Sequence, residues 1–473
     1  MTDRDLAFTP AWQLRDLIQS RQLSPVELTE LFLRRIDEFN PRLNAYLTVA
    51  ADQALTDARR AEAAAQSGEE LGPLHGIPIS IKDLNATKGL RTTRGSRVYA
   101  DFVPEADELM VARIRRAGAI ILGKTNTPEF GHSATTENLL GDHGRNPWDT
   151  TRTSGGSSGG AAAGLSAGMH PLAQGSDGGG SIRIPSSLCG VFGIKPTQGR
   201  VPKPYAGPGG WAQFSQSGPM AHTVRDAAIL LQVMAGPDAG DPIAIQEPPP
   251  DFSARLEEGV RGMRLGWSPN LGSLPVDPEV RRVTSEAALV FEELGASVEE
   301  AEVDLDHDHI RDVFSTIWLS DYAANYGGLM ETRSDDLSPF FRVLMEEAMT
   351  WPASRLALAL RELEWHRTRV DDLVRRYDLL LTPTLATPAF AVGERPEVID
   401  GQEVDPVWGF TPFTFPINMS GHTAASVPCG FSADGMPIGL HVIGRMGDEA
   451  NVLRACAAFE RARPWTDRRA SVS

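Results

Sequence analysis

Thr153-Ser-Gly-Gly-Ser-Ser-Gly-Gly-Ala-Ala-Ala-Gly164 is followed by Gln174-Gly-Ser-Asp-Gly-Gly-Gly-Ser-Ile-Arg-Ile-Pro185, with the short apolar step Leu172-Ala173 between them. Two glycine-rich loops so close together can both sit at the edge of one sheet. Glycine takes positive φ without strain and lets a backbone approach another group closely. A flexible Gly/Ser linker fits poorly, because the first stretch lies between strand candidates and runs directly into Ala161-Ala-Ala163. A phosphate-binding loop lacks its marks: there is no GxxxxGK[ST], and no GxGxxG after a strand with an acidic residue about 20 positions on.

Outward from these loops, the N-terminal side reads as a βαβ unit. Gly76-Ile-Pro-Ile-Ser-Ile81 is a short β-branched run ending at Lys82-Asp83, a helical stretch spans Asp107 to Ala117, and Ala119-Ile-Ile-Leu122 is a second apolar strand. Strand, helix and strand at this spacing predict a largely parallel sheet. Residues 9–64 read as helices. Thr9-Pro10 and Ser24-Pro25 each place a capping residue before proline, and Glu27 completes a capping box with Ser24. On the other side, 236–262 is a Pro- and acid-rich connection. Residues 263–376 hold a strand candidate and then a mostly helical lobe carrying Trp318, Tyr322, Tyr326, Trp351 and Trp365. Strand signals return at Asp378–Leu381, Ala425–Val427 and Gly439–Ile443. The expected organisation is one domain over 1–473: N-terminal helices to 71, a core at 72–235, linker and lobe at 236–377, and a sheet-completing part at 378–473.

Composition excludes several classes. The 473 residues are 41% hydrophobic and 23% charged, with 45 Gly and 34 Pro, which is ordinary globular composition. With 45 Lys and Arg against 62 Asp and Glu the net charge is −17, and no basic stripe compensates it, so nucleic acid is not an expected partner. Cys189, Cys429 and Cys456 form no CxxC pair or disulfide framework. The N-terminus lacks a basic region leading into an apolar one, and no uninterrupted apolar run of about 18 residues exists. These features predict a soluble cytoplasmic protein with no membrane partner. No HExxH and no cluster of Cys or His marks a metal site, so neither metal nor cofactor is expected.

The second loop has the layout of a nucleophile with an oxyanion hole, since consecutive glycines let several N–H groups face one spot just before Ser181. A serine needs a base. None of the ten histidines sits in a GxSxG or other triad context. Lys82, at the end of an apolar strand, would lose solvation and become a better base there; taken alone, an exposed surface charge is the plainer reading.

The motifs together change that balance. Gly76-Ile-Pro-Ile-Ser-Ile-Lys82-Asp83, Gly123-Lys-Thr-Asn126, Gly155-Gly-Ser-Ser-Gly-Gly160, Asp177-Gly-Gly-Gly-Ser-Ile-Arg-Ile-Pro185, Leu381-Thr-Pro-Thr384 and Ser426-Val-Pro-Cys-Gly430 with Gly439–Arg445 resemble the amidase signature family. The resemblance spans essentially the whole chain. It implies an α/β/α sandwich with a mixed sheet of roughly eleven strands and an inserted helical lobe. It also implies a Ser–Ser–Lys triad: Ser181 as acylated nucleophile, Lys82 as base, and Ser157 as the bridging serine after a cis peptide, with Ser158 the lesser choice. The oxyanion donors would be the N–H groups of Gly178, Gly179, Gly180 and Ser181, with Asp177 and Arg183 in support. Phe130, Gly131, Trp211 and Phe214, together with Trp318 and Trp408, are pocket candidates that would suit anilides or aryl carbamates.

Two departures stand out. The family commonly has a larger residue at the position of Gly178, so a looser oxyanion loop is expected. His422 replaces the usual Gly-x-Pro context before the last strands and becomes a pocket candidate. The implied activity is hydrolysis of a small-molecule amide, with aryl-acylamidase or urethanase character, by a monomer or homodimer. A glutaminyl-tRNA amidotransferase A-type subunit is disfavoured by the charge and by an expected weak match outside the core motifs. A non-catalytic binding relative is disfavoured because Lys82, Ser157 and Ser181 are all present. A phosphate-binding nest at Gly178–Gly180 is the remaining alternative.

Overall fold

A computed structural model describes residues 2–204 and 210–472. Eleven strands join in one mixed sheet: β1 (Tyr46–Val49), β2 (Pro78–Lys82), β3 (Ile120–Thr125), β4 (Leu172–Asp177), β5 (Phe192–Lys195), β6 (Gln216–Ala221), β7 (Arg264–Trp267), β8 (Ser297–Glu300), β9 (Leu379–Pro383), β12 (Ala424–Phe431) and β13 (Pro437–Ile443). A separate two-stranded ribbon pairs β10 (Val398–Ile399) with β11 (Gln402–Glu403). The order across the large sheet is β1-β3-β2-β4-β6-β5-β12-β13-β9-β7-β8.

The sheet is less parallel than the βαβ pattern predicts, and the connections explain why. β3, β2 and β4 form one parallel block, and β9, β7 and β8 another. Helices cross over inside each block, Leu109–Arg116 between β2 and β3 and Pro278–Glu293 between β7 and β8. Between the blocks the pairs are antiparallel, as they must be where β12 and β13 are joined by a short turn.

Strand alternation sorts the two faces. Ile79 and Ile81 of β2 enter the large apolar core, shared with Phe32 and Ile36 of the helix Pro25–Leu43 and Leu230 and Leu231 of the helix Val224–Met234. Ser80 and Lys82 point the other way. On that second face the helices Gly159–Ser166 and Arg183–Cys189 lay Ala161, Ala162, Leu165 and Cys189 against Ala173 and Met220. The helical lobe consists of His307–Thr332, Pro339–Ala348 and Ala353–Arg375, and it packs around a separate aromatic cluster. Residues 236–262 contain neither helix nor strand.

The N-terminal reading needs correction at three places. The helical region is interrupted by β1, a four-residue edge strand too short for its alternation to show. Thr9 does not cap the helix Ala11–Gln19; its hydroxyl donates to the carbonyl of Asp5 at 2.8 Å. The buried carboxylate of Asp226 accepts from the N–H groups of Ala11 and Trp12 instead, at 3.0 and 2.9 Å. Ser24 does cap its helix, accepting from Val26 and Glu27, but its own hydroxyl donates to Glu62 rather than entering a reciprocal box with Glu27. None of the described helices is long and apolar enough to cross a membrane.

Candidate active site

Parallel strands end together, so the carboxyl ends of β2 and β4 bring Lys82 and Asp177 close to one another. Lys82 is fully buried. Its Nζ donates to Ser157 Oγ at 2.7 Å, to Ser176 Oγ at 3.0 Å and to the Ser176 carbonyl at 3.2 Å. Burial drives its pKa well below that of a free lysine. Asp177 pulls the other way, and the cation of Lys203 adds to the lowering. The neighbouring carboxylate, Asp83, is bound to Thr93 and faces Lys124, not Lys82. Ser157 follows a cis peptide bond with Gly156 and opens the turn into the helix Gly159–Ser166. The N–H of Ser158 donates to the carbonyl of Ser181 at 3.0 Å, which ties the two glycine loops together. Ser181 itself is half-buried, and its hydroxyl has no hydrogen-bond partner among the described residues.

Asp177 organises the second loop. Its carboxylate accepts from the N–H groups of Gly180, Ile182 and Arg183 at 2.7, 3.2 and 3.3 Å. Arg183 returns along the chain to pair with it, Nε and Nη2 each at 2.9 Å, both side chains fully buried. Burial alone would raise the Asp177 carboxyl, but the Arg183 guanidinium overrides it and holds it far below the usual carboxylate range. Asn418 closes the arrangement from a distant segment, donating to the Asp177 carboxylate and carbonyl at 2.9 Å each and accepting from Arg183 at 2.5 Å. Arg183 Nη1 also donates to His441 Nε2 at 3.0 Å. Such a pair is costly to break, at about 3–5 kcal/mol, because the survivor stays buried and uncompensated.

The same carboxylate decides which loop amides remain available. The N–H of Gly180, an expected oxyanion donor, is committed to Asp177. Those of Gly178, Gly179 and Ser181 reach no acceptor among the described residues. Gly180 has φ +124°, a conformation that favours glycine, and Thr414 fastens the loop by donating to the Gly179 carbonyl at 2.7 Å. The expectation that Gly178 loosens the loop is not met. The indole of Trp211 fills the space where a side chain would stand, overlapping a β-carbon at Cζ2 and approaching it to 2.9 Å at Cη2.

Ser181 opens onto a narrow crevice with an accessible volume of only about 10 Å³, shared with Gly131, His132, Gly179, Trp211, Trp318 and Trp408. Of the expected pocket residues, Gly131, Trp211, Trp318 and Trp408 line it. Phe130 stacks on Tyr326 at 4.1 Å between ring centroids, and Phe214 stacks on Phe314, so both belong to the aromatic core behind the crevice. The loop expected around Trp211 includes residues 205–209, which lie outside the described residues. His422 is not at the crevice: it is buried between Ser420, 3.0 Å away, and Asp371, 3.4 Å away. Burial lowers its pKa to about 4, so it is neutral at pH 7. Sequence reading misses Ser176 and Asn418. Ser176 has a signal, since it stands beside Asp177 in the quoted motif, whereas Phe415-Pro-Ile-Asn418 carries none.

Comparison with known proteins gives the family of the chain. The amidase family profile matches residues 27–453. The chain is 39% identical to an acylamidase of Rhodococcus erythropolis over 99% of this chain and 98% of the relative. It is 38% identical to the A-type subunit of the glutamyl-tRNA(Gln) amidotransferase of Moorella thermoacetica, over 98% of this chain and 99% of the relative. That similarity is not confined to the core motifs, contrary to expectation. The fold superposes on the crystal structure of a bacterial aryl acylamidase with a TM-score of 0.91, at 32% identity and 97% coverage of both chains. The chain belongs to the amidase signature family, enzymes acting on amide bonds.

Proposed function

We propose that the protein hydrolyses carboxamides bearing an aryl group, through an acyl-enzyme on Ser181. The observation that carries this reading is Lys82: a fully buried amine, with no carboxylate among its described hydrogen-bond partners, whose Nζ lies 2.7 Å from Ser157 Oγ. In its neutral form Lys82 takes the Ser157 proton while Ser157 takes that of Ser181, and Ser181 Oγ attacks the amide carbonyl. The negative charge on the carbonyl oxygen falls to the N–H groups of Gly179 and Ser181, with Gly178 beside them. Collapse expels the amine, which receives the proton back through Ser157, and water then releases the acid by the same relay.

Identity does not separate an acylamidase from an amidotransferase relative, at 39% against 38%. The crevice favours the former, because its described lining includes Trp211, Trp318 and Trp408 and no acidic or basic side chain for an amino-acid headgroup beyond the imidazole of His132. Aryl carbamates present the same electrophilic carbonyl and belong in the same panel. The test is labelling with a fluorophosphonate and peptide mapping, followed by turnover of anilides, aryl carbamates, aliphatic amides and glutamine. Label on Ser181 with anilide turnover is expected. Label elsewhere, or turnover of glutamine alone, overturns the reading.

A further inference from the structure

Three glycines precede Ser181, and they are glycines for different reasons. Gly180 is held at φ +124°, where side chains are strained. Gly179 would press a β-carbon to 3.0 Å from Phe314 Cζ. Gly178 has no positive φ, so the backbone tolerates any residue there; what forbids a side chain is the outer ring of Trp211.

Trp211 is fixed from its other side. It belongs to the short helix Gly210–Gln213, which lies against Asp321 of the lobe helix His307–Thr332. A β-carbon at Gly210 would overlap the same carboxylate, so that end of the segment has no room to retreat. The indole further meets Phe314, Trp318 and Tyr322 at centroid distances of 5.5, 6.2 and 6.3 Å. The ring is therefore clamped between the lobe and the backbone of Gly178, and it is one wall of the crevice that holds Ser181.

We infer that Gly178 is a specificity-determining residue: its missing β-carbon seats Trp211 against the oxyanion loop and thereby makes the site a slot for a flat aryl group. This rests on the reading of Ser181 as nucleophile. A methyl at 178 displaces the indole, and a displacement of that size in a tight pocket is worth roughly tenfold or more in discrimination.

The experiment measures kcat/KM for an anilide and for propionamide in wild type, Gly178→Ala, Trp211→Phe and the double variant, with fluorophosphonate labelling of each. Trp211→Phe keeps an aromatic side chain and drops the outer ring that meets the β-carbon. The ratio of the two rates cancels any common loss from a disturbed oxyanion loop. Gly178→Ala is expected to lower the anilide-to-propionamide ratio by roughly tenfold in the wild-type background, and by less than about twofold in Trp211→Phe. An unchanged ratio, or the same drop in both backgrounds, overturns the inference while Ser181 still labels. Failure of Ser181 to label in wild type overturns the reading of the nucleophile, and this inference with it.

Discussion

The two walls of the site are held by different forces. Around Lys82, Asp177 and Arg183 the groups are charged or strongly polar, fully buried, and bound at distances near 2.9 Å. Across the crevice, Trp211, Trp318, Trp408 and Phe314 meet through ring edges and faces, with centroids 5–6 Å apart. A buried polar network fails sharply when one member is removed, because the orphaned partner cannot recover its water. An aromatic cluster yields by degrees, since each contact is weak and neighbours relax. The polar wall should therefore govern whether the reaction occurs, and the aromatic wall which substrate is preferred.

The largest effect is expected at Ser181, the proposed nucleophile. Ser181→Ala should lower kcat by about 10⁴ or more and abolish fluorophosphonate labelling, with an unfolding midpoint within a few degrees of wild type. Substantial residual turnover would break the comparison at its polar end.

Lys82→Ala comes next, at roughly 10³-fold, with Ser157→Ala somewhat milder but still about a hundredfold. The sign of the pH dependence follows from the lowered lysine pKa. In the proposed relay the neutral amine is the active form, so kcat/KM should climb through one ionisation as pH rises and then level off, and activity should be lost as pH falls. A rise centred near pH 6.5, with Lys82→Ala almost harmless, would assign the base to a histidine.

Asn418→Ala removes one partner from both Asp177 and Arg183. It should cost about 1–3 kcal/mol in urea unfolding and depress kcat more than it raises KM. A pure KM effect would show that the network only shapes the pocket. On the aromatic wall, Trp408→Ala should reduce kcat/KM for an anilide by about tenfold, ~1.4 kcal/mol of lost apolar contact, and by several-fold less for propionamide. Equal losses would erase the division between the two walls. The smallest effect is the one expected from EDTA: no change in rate, since every step of the proposed relay uses side chains and backbone alone.

The difference between the walls also governs what is legible in the sequence. β2, the crossover helix, β3 and the two glycine loops show in local patterns, and Lys82, Ser157, Asp177 and Ser181 stand inside them. β4 is visible only as Leu172-Ala173, because Gln174 to Asp177 is polar, yet it is fully buried and paired on both sides. β8 reads Ser-Val-Glu-Glu, which has no strand signature; parallel pairing with β7 makes it a strand. Asn418 lies 241 residues from Asp177, and the Asp226 cap lies 215 residues from Ala11, so no local pattern announces either. Phe130 and Phe214 are aromatic and near the motifs, but which rings face a crevice and which fill a core is set by how the lobe packs.

An open sheet of eleven strands has only two free borders, and each is guarded against joining another chain. Along β1 the outward backbone groups are taken by side chains: Asn40 exchanges hydrogen bonds with both the N–H and the carbonyl of Tyr46, and Arg91 donates to the carbonyl of Leu47 at 2.8 Å. Along β8 the border is four residues long and carries the exposed Glu299 and Glu300. Short, charged or side-chain-sealed borders deter edge-to-edge growth. In a protein whose interior is this rich in extended chain, such borders disfavour sheet-to-sheet joining of native molecules, and the exposure to that hazard shifts to chains that have not yet completed β1 or β8.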